Sequence, residues 1–425
     1  MWNSEASSSR WPKVWRWPPR NPFWTNQVSV QRVLSVAAPE ATFITMRRFP
    51  ARARLPLLAA LLLSPLITPE MAWAVPMPEK PEVAGDALSP ALTSSTQIWD
   101  AVQALPDGRL ILEAPGWLGN PTPQLSVSAK GAAPTPYPNS RWNTDAGDPA
   151  QRFVAITGMT LASDGSLWVI DSGVPDREKP PVAGPKLIQI ETQNNTVQRV
   201  IELSPNVLRH GSVLGGIAIH GNTAYVPDSG DAGLVVVNLD DGSAQRFLDH
   251  VQALTAGRPI TTPSGTVKAP DGRPIAIDAS LIAISPDGQW LYVQPYCGPL
   301  YRIATSLFDD PDSTNTALQE SATLWYKTHA LGGLTVGPDG TLYWSDVTTG
   351  SIDSYTPGRI PHHLITDPRL RWPGGASLSG NTLYVPASQL DQAARFQNGH
   401  ATVQWPVTVY ALHLPDDATS DVLRK

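Results

Sequence analysis

One pattern recurs six times along the chain: a short apolar strand, a tight turn, and a second strand carrying an aromatic residue. The copies are Ala101–Gly116 (AVQALPDGRLILEAPG), Ile156–Gly173 (ITGMTLASDGSLWVIDSG), Leu214–Gly230 (LGGIAIHGNTAYVPDSG), Leu281–Gly298 (LIAISPDGQWLYVQPYCG), Leu331–Gly350 (LGGLTVGPDGTLYWSDVTTG) and Gly374–Leu390 (GGASLSGNTLYVPASQL). Asp-Gly between two β-rich runs is a strong local signal for a hairpin, because the turn needs residues that tolerate positive φ. Four copies use Asp-Gly, and Gly221-Asn222 and Gly380-Asn381 replace it in the other two.

A third strand-like run follows each hairpin, as at Lys186–Glu191, Leu234–Leu239 and Leu300–Ile303. A fourth appears in the middle repeats, as at Val197–Leu203 and Ala244–Leu248. Four antiparallel strands per repeat make one propeller blade, so the expected fold is an all-β, six-bladed β-propeller of four-stranded antiparallel blades, spanning 75–414. The sixth repeat has a third run at Thr408–Leu414 and then only a polar tail, 415–425, expected to be disordered. Its outer strand must therefore come from upstream, within Glu82–Gln97, or the ring would end on an unpaired edge.

The N-terminal region reads as processing information. Arg47, Arg48, Arg52 and Arg54 precede the apolar run Leu55–Ile67, and Ala72-Trp73-Ala74 supplies a small-x-small site, the order of a cleaved secretory signal over 46–74. Residues 1–45 hold Trp2, Trp11, Trp15, Trp17 and Trp24 without periodicity and read as a non-native extension ahead of a start at Met46. The expected location is secreted or periplasmic. A single cysteine, Cys297, excludes an intrachain disulfide and any cysteine-based zinc site. With a formal net charge of −6, a nucleic-acid partner has no electrostatic support. The expectation is a monomer, free of the membrane once the signal is cleaved, with a small-molecule ligand as partner.

In a meander the start of each inner strand and the end of each second strand lie on one face, so these positions converge on one mouth of the central channel. They nominate Trp99, Asp100, Asp171, Asp228, Tyr296, His329, Asp346, Trp372 and Gln389 as ligand-binding candidates. Together they form an acidic and aromatic rim suited to a small aromatic or amine ligand. The repeated Asp-Ser-Gly at Asp171 and Asp228 is more simply a turn that caps its own backbone. His362-His363 reads as a solvated strand end, and Asn194-Asn195-Thr196 matches a glycosylation acceptor placed in a turn. The Thr-, Pro- and Gly-rich segment Val251–Ile277 reads as an inserted loop, either a lid over one face or, the favoured reading, solvent-exposed decoration. No cofactor and no metal are implied.

Leu167–Gly173 (LWVIDSG), Pro185–Glu191 (PKLIQIE), Ala224–Leu239 (AYVPDSGDAGLVVVNL) and Ile284–Leu307 resemble the Yellow / major-royal-jelly family. The closing stretch, with Trp372-Pro373, Leu383–Leu390 (LYVPASQL), Phe396 and Asn398-Gly399, is similar to that family's signature around Ser-Gln-Leu. Bacterial members are often labelled L-dopachrome tautomerase-related. The resemblance implies an exported propeller that binds a small aromatic or amine ligand, or alternatively a dopachrome-type isomerase with Asp171, Asp228 or Asp346 moving protons. Family inner strands often begin with an acidic or amide residue, where this chain has Gly215, Gly216, Ser280, Gly332 and Gly374. A metal-dependent lactonase of the gluconolactonase type, a further alternative, would need Glu, Asn and Asp there. Glu113 lies on a second strand and reads as a poor substitute.

Overall fold

The structure, a computed structural model, describes residues 75–129, 131–310 and 313–415. The expected extension and signal segment, and all of the expected tail but Pro415, lie outside the described residues. Six four-stranded antiparallel sheets follow one another around a central channel. Their inner strands are Ala101–Ala104, Ile156–Leu161, Ala218–His220, Ala279–Ile284, Leu331–Val336 and Ser377–Ser379, in blades 1 to 6. The second strands are Arg109–Glu113, Leu167–Asp171, Thr223–Asp228, Trp290–Pro295, Leu342–Asp346 and Thr382–Ala387. The fold is the six-bladed propeller that the hairpin repeat demands.

Turn chemistry explains the hairpins. Gly108 and Gly340 each take φ of +85°, a region closed to most side chains. In the two Gly-Asn turns the glycine carries the strain-free positive φ (Gly221 +54°, Gly380 +56°), leaving the asparagine unconstrained. Second strands such as Leu167–Asp171 and Leu342–Asp346 are buried along their whole length, because neighbouring blades cover both faces. Each fully buried Leu, Ile or Val contributes roughly 1.5–3 kcal/mol, so the inter-blade layers hold the ring together.

Ring closure follows the strand count. Leu88–Ser94 pairs antiparallel with Val407–His413, so the first strand of the chain forms the outer strand of blade 6. Leu88 and Leu92 anchor it from its buried face.

Glycines at or just ahead of the inner strands of blades 5 and 6 have a steric reason. A Cβ on Gly332 would lie 2.0 Å from the Pro373 carbonyl oxygen, and one on Gly374 would lie 2.1 Å from that of Asp100. Successive blades approach here until their backbones bond directly: Gly375 N donates to Asp100 O (2.8 Å) and Gly216 N to Thr157 O (3.0 Å). At these positions the ring is closed by main chain.

One expectation is overturned outright. The segment Val251–Ile277 is not exposed decoration. Ile260 (1% exposed) and Val267 (7%) are buried in the same apolar cluster as Trp99, Val102, Trp372 and Leu390, with Ile275 and Ile277 packed against them. Apolar side chains spaced along the loop turn it inward, and it folds over the channel mouth as a lid. His363 is likewise buried rather than solvated, bonding through Nδ1 to Asp353 (2.6 Å).

Candidate functional site beneath the lid

Four blades end their second strand on an acid at equivalent register: Glu113 opposite Ala101, Asp171 opposite Ile156, Asp228 beside Gly233, and Asp346 opposite Leu331. Three of these acids are consumed by the fold. Asp171 accepts from the amides of Val154, Ala155 and Gly173 and pairs with Lys186 Nζ at 2.7 Å. Asp228 accepts from the amides of Val213, Gly230 and Asp231 and pairs with Arg246 at 2.8 Å. Asp346 accepts from the amides of Thr348 and Thr349 and meets His329 Nδ1 at 2.8 Å. They cap turns, as the repeated Asp-Ser-Gly suggests, and none of them lines the channel cavity.

Glu113 differs. It is buried (3% exposed), and among the described residues no lysine, arginine or histidine lies within ion-pairing distance of it. It lines a cavity of about 880 Å³ that fills the channel under the lid. Asp100, at the start of the same blade's inner strand, lines it too, and its amide donates to the Glu113 carbonyl oxygen (2.9 Å). Burial pushes the Asp100 carboxyl up to about 7. Burial, reinforced by the charge of Asp100, pushes Glu113 up to about 8. Desolvation penalises the charged form of each, and no cation is at hand to offset it. At neutral pH this pair holds a proton that ordinary carboxylates have lost.

Aromatic rings surround these acids. Trp372 Nε1 donates to the Tyr296 hydroxyl (2.9 Å), with ring centroids 6.0 Å apart, and both line the cavity beside Trp117 and Phe396. Burial and the charge of Asp100 hold the Tyr296 hydroxyl well above its usual range, so it stays a neutral donor. The lid supplies Ile260, Val267, Ile275 and Ile277 to the roof. Loops following the second strands of blades 2 and 6 add Arg177 and Arg395. Aromatic faces, two partly protonated acids and an apolar roof suit a ligand with a flat ring and a basic or hydrogen-donating end.

Of the rim residues nominated by sequence, the structure brings Asp100, Tyr296 and Trp372 together in the cavity. Trp99 is 1% exposed and packs in the core. His329 lies beside Asp346, outside the lining. Gln389 holds the blade 6 loop, donating to Gln404 O (2.8 Å) and accepting from Gln404 N (2.9 Å). Arg177 and Arg395 escape sequence reasoning, which sets Glu113 aside as a poor substitute for a metal ligand and weighs a lid for the segment 251–277 but ranks it below an exposed loop. Aligning the second strands by their last residue would have exposed Glu113 as an acid whose blade lacks the basic partner found in blades 2, 3 and 5. Among the described residues no three His, Cys, Asp or Glu side chains cluster as a metal site.

Comparisons with known proteins bear on family and fold. The solved structures similar to this chain include a calcium-binding protein, regucalcin, from Agrobacterium tumefaciens (12% identity, 76% of this chain and 91% of that chain, TM-score 0.43). A virginiamycin B lyase from Staphylococcus aureus is similar at 14% identity, with 76% of this chain and 96% of that chain covered and a TM-score of 0.43. A gluconolactonase from Xanthomonas campestris is similar at 10% identity, 77% and 89% coverage and a TM-score of 0.41. No curated protein matches the sequence. The profile of the family described as major royal jelly protein matches residues 158–359, across blades 2 to 5. Over those residues this six-bladed propeller is similar to the major royal jelly protein family.

Proposed function

We propose that this protein is an exported binding propeller that holds a small aromatic amine in the channel, beneath the lid. The observation that carries the reading is the unpaired acid pair of blade 1, Asp100 and Glu113, facing an aromatic-walled cavity while their counterparts in other blades are neutralised. An ammonium group seated between them would ionise both carboxyls and lie against the faces of Tyr296 and Trp372. Such binding releases protons near neutral pH. Calorimetry with tryptamine and with uncharged indole tests this. Tryptamine should bind at least about tenfold more tightly, with a buffer-dependent heat, and Asp100→Asn with Glu113→Gln should abolish the difference. Equal affinity for the two compounds would overturn the reading. Export is tested separately: protein recovered from its native host should begin near Val75.

A second reading, a dopachrome-type isomerase, is favoured by one observation. Carboxyls lying at about 7 and about 8 are suited to taking up and giving back a proton at neutral pH. The aspartates that the sequence suggests for this work, Asp171, Asp228 and Asp346, are occupied by turns and basic partners. Asp100 and Glu113 take their place in this reading. Loss of dopachrome colour, followed with wild type and Glu113→Gln, separates catalysis from binding alone.

A further inference from the structure

Two loops deliver arginines to the same cavity from opposite sides of blade 1. Arg177 comes from the loop after the second strand of blade 2, and Arg395 from the corresponding loop of blade 6. Arg177 is held in place by blade 3: its two Nη groups donate to the Ser229 hydroxyl (2.6 Å) and the Ser229 carbonyl (3.2 Å). Ser229 is itself fixed, donating to Val213 O (2.9 Å).

Neither guanidinium has found a close counter-ion. Among the described residues Arg177 makes no ion pair within 4.0 Å, and Arg395 makes only a long one, 3.9 Å, to Asp176. Asp176 is already engaged by Lys179 Nζ (3.1 Å) and by the amide of Glu178 (3.0 Å). Glu178 also lines the cavity. Burial and the like charge of Arg395 push Arg177 down, against a smaller opposing pull from the charges of Asp228 and Asp278. Among the described residues neither arginine forms an ion pair within 4.0 Å with Asp100 or Glu113. Bringing two cations to one cavity wall is unfavourable unless an anion lies between them, and a carboxylate fits the planar donor fork of arginine.

We infer that Arg177 and Arg395 form a carboxylate subsite, and that the ligand is an amphoteric aromatic, an aromatic amino acid or close analogue, with its acid on the arginines. This rests on the proposed binding of an amine end at Asp100 and Glu113, and it adds the second anchor. A ligand held at both ends would be oriented along the channel, with its ring against Trp117, Tyr296 and Trp372.

Titration calorimetry with L-tryptophan and tryptamine, which share a ring and an amine and differ in the carboxylate, tests the inference. L-Tryptophan should bind about tenfold more tightly or better. Arg395→Gln, in a side chain with only a 3.9 Å contact to lose, should weaken L-tryptophan by about tenfold and leave tryptamine unchanged. Arg177→Gln should do the same, and Arg177→Lys should recover only part of the loss, since a point charge cannot reproduce the fork. Tryptamine binding as well as L-tryptophan, in wild type and variants alike, would overturn the carboxylate subsite while leaving the amine reading intact. Failure of both compounds to bind would overturn both. Melting curves of each variant matched to wild type exclude misfolding as the cause.

Discussion

The amide of Asp100 donates to the carbonyl of Glu113 across 2.9 Å, which sets the two carboxyl-bearing residues of blade 1 side by side at one level of the channel. In blades 2, 3 and 5 the same level is occupied by an acid with a basic partner, such as Asp171 with Lys186, whereas blades 4 and 6 end their second strands on Pro295 and Ala387. Of the four acids at this level, the one in the wall of the cavity is the one that, among the described residues, has no basic partner.

The raised carboxyls give stability a signed pH dependence. Below about pH 3 both are protonated in the folded and unfolded chains alike, and they contribute nothing to the difference. From there to about pH 8 the folded chain retains protons that the unfolded chain has released, so stability falls as pH rises and levels off above Glu113's value of about 8. Glu113→Gln should remove part of this slope. Scanning calorimetry should find the variant's melting temperature close to wild type at pH 4 and above it by roughly 5 °C at pH 8. A constant gap at both pH values would contradict the assignment.

Lys186→Met should behave in the opposite way. The Asp171–Lys186 pair is enclosed, with side chains 0% and 2% exposed, and the substitution strands a buried carboxylate among backbone amides. The expected loss is about 3–5 kcal/mol at neutral pH, read from urea unfolding. The contrast with Glu113→Gln, which removes an acid that has no partner, distinguishes structural acids from site acids in a single fold.

Lid anchoring is tested at Ile260. Truncating this 1% exposed side chain to alanine should cost about 2–4 kcal/mol if the lid is part of the global core. If the lid opens independently, the global unfolding midpoint will hold while hydrogen exchange quickens in the segment 251–278. Either way, ligand dissociation measured by stopped flow should speed up.

Removing residues 75–97 deletes the outer strand of blade 6 and uncovers the edge Val407–His413. Exposed edges template association. Size-exclusion chromatography should show the truncated chain shifting to oligomers or aggregates, where the full chain elutes as one species.

What the sequence revealed and what it hid divide along a physical line. Hairpins are local: Asp107-Gly108 or Gly221-Asn222 specifies its turn within a few residues, so the blades and their number are readable. The closing strand was recoverable too, because a ring tolerates no missing partner. The lid ranks below an exposed loop in the sequence because Ile260 joins the cluster of Trp372 and Leu390 only after the ring closes, and a Thr-Pro-Gly stretch carries no periodicity to announce it. Glu113 is set aside there because its importance lies in a missing neighbour, visible only against the pairs Asp171–Lys186 and Asp228–Arg246. Arg177 and Arg395 share a cavity but arrive from loops of different blades, and neither loop has a motif.

The strand Leu88–Ser94 has a further consequence, in time rather than in space. It is made before any blade exists, yet the partner that it binds is among the last segments to be synthesised; Ser89 and Ala411, which bond across the seam, are 322 residues apart. Throughout translation this segment must wait, unpaired, while the blades accumulate behind it. Contacts of such long sequence separation form late and slowly. The clasp therefore acts as a completeness check: a chain released early, or cut short before Val407, has at most five complete blades, an open edge and no means of closing.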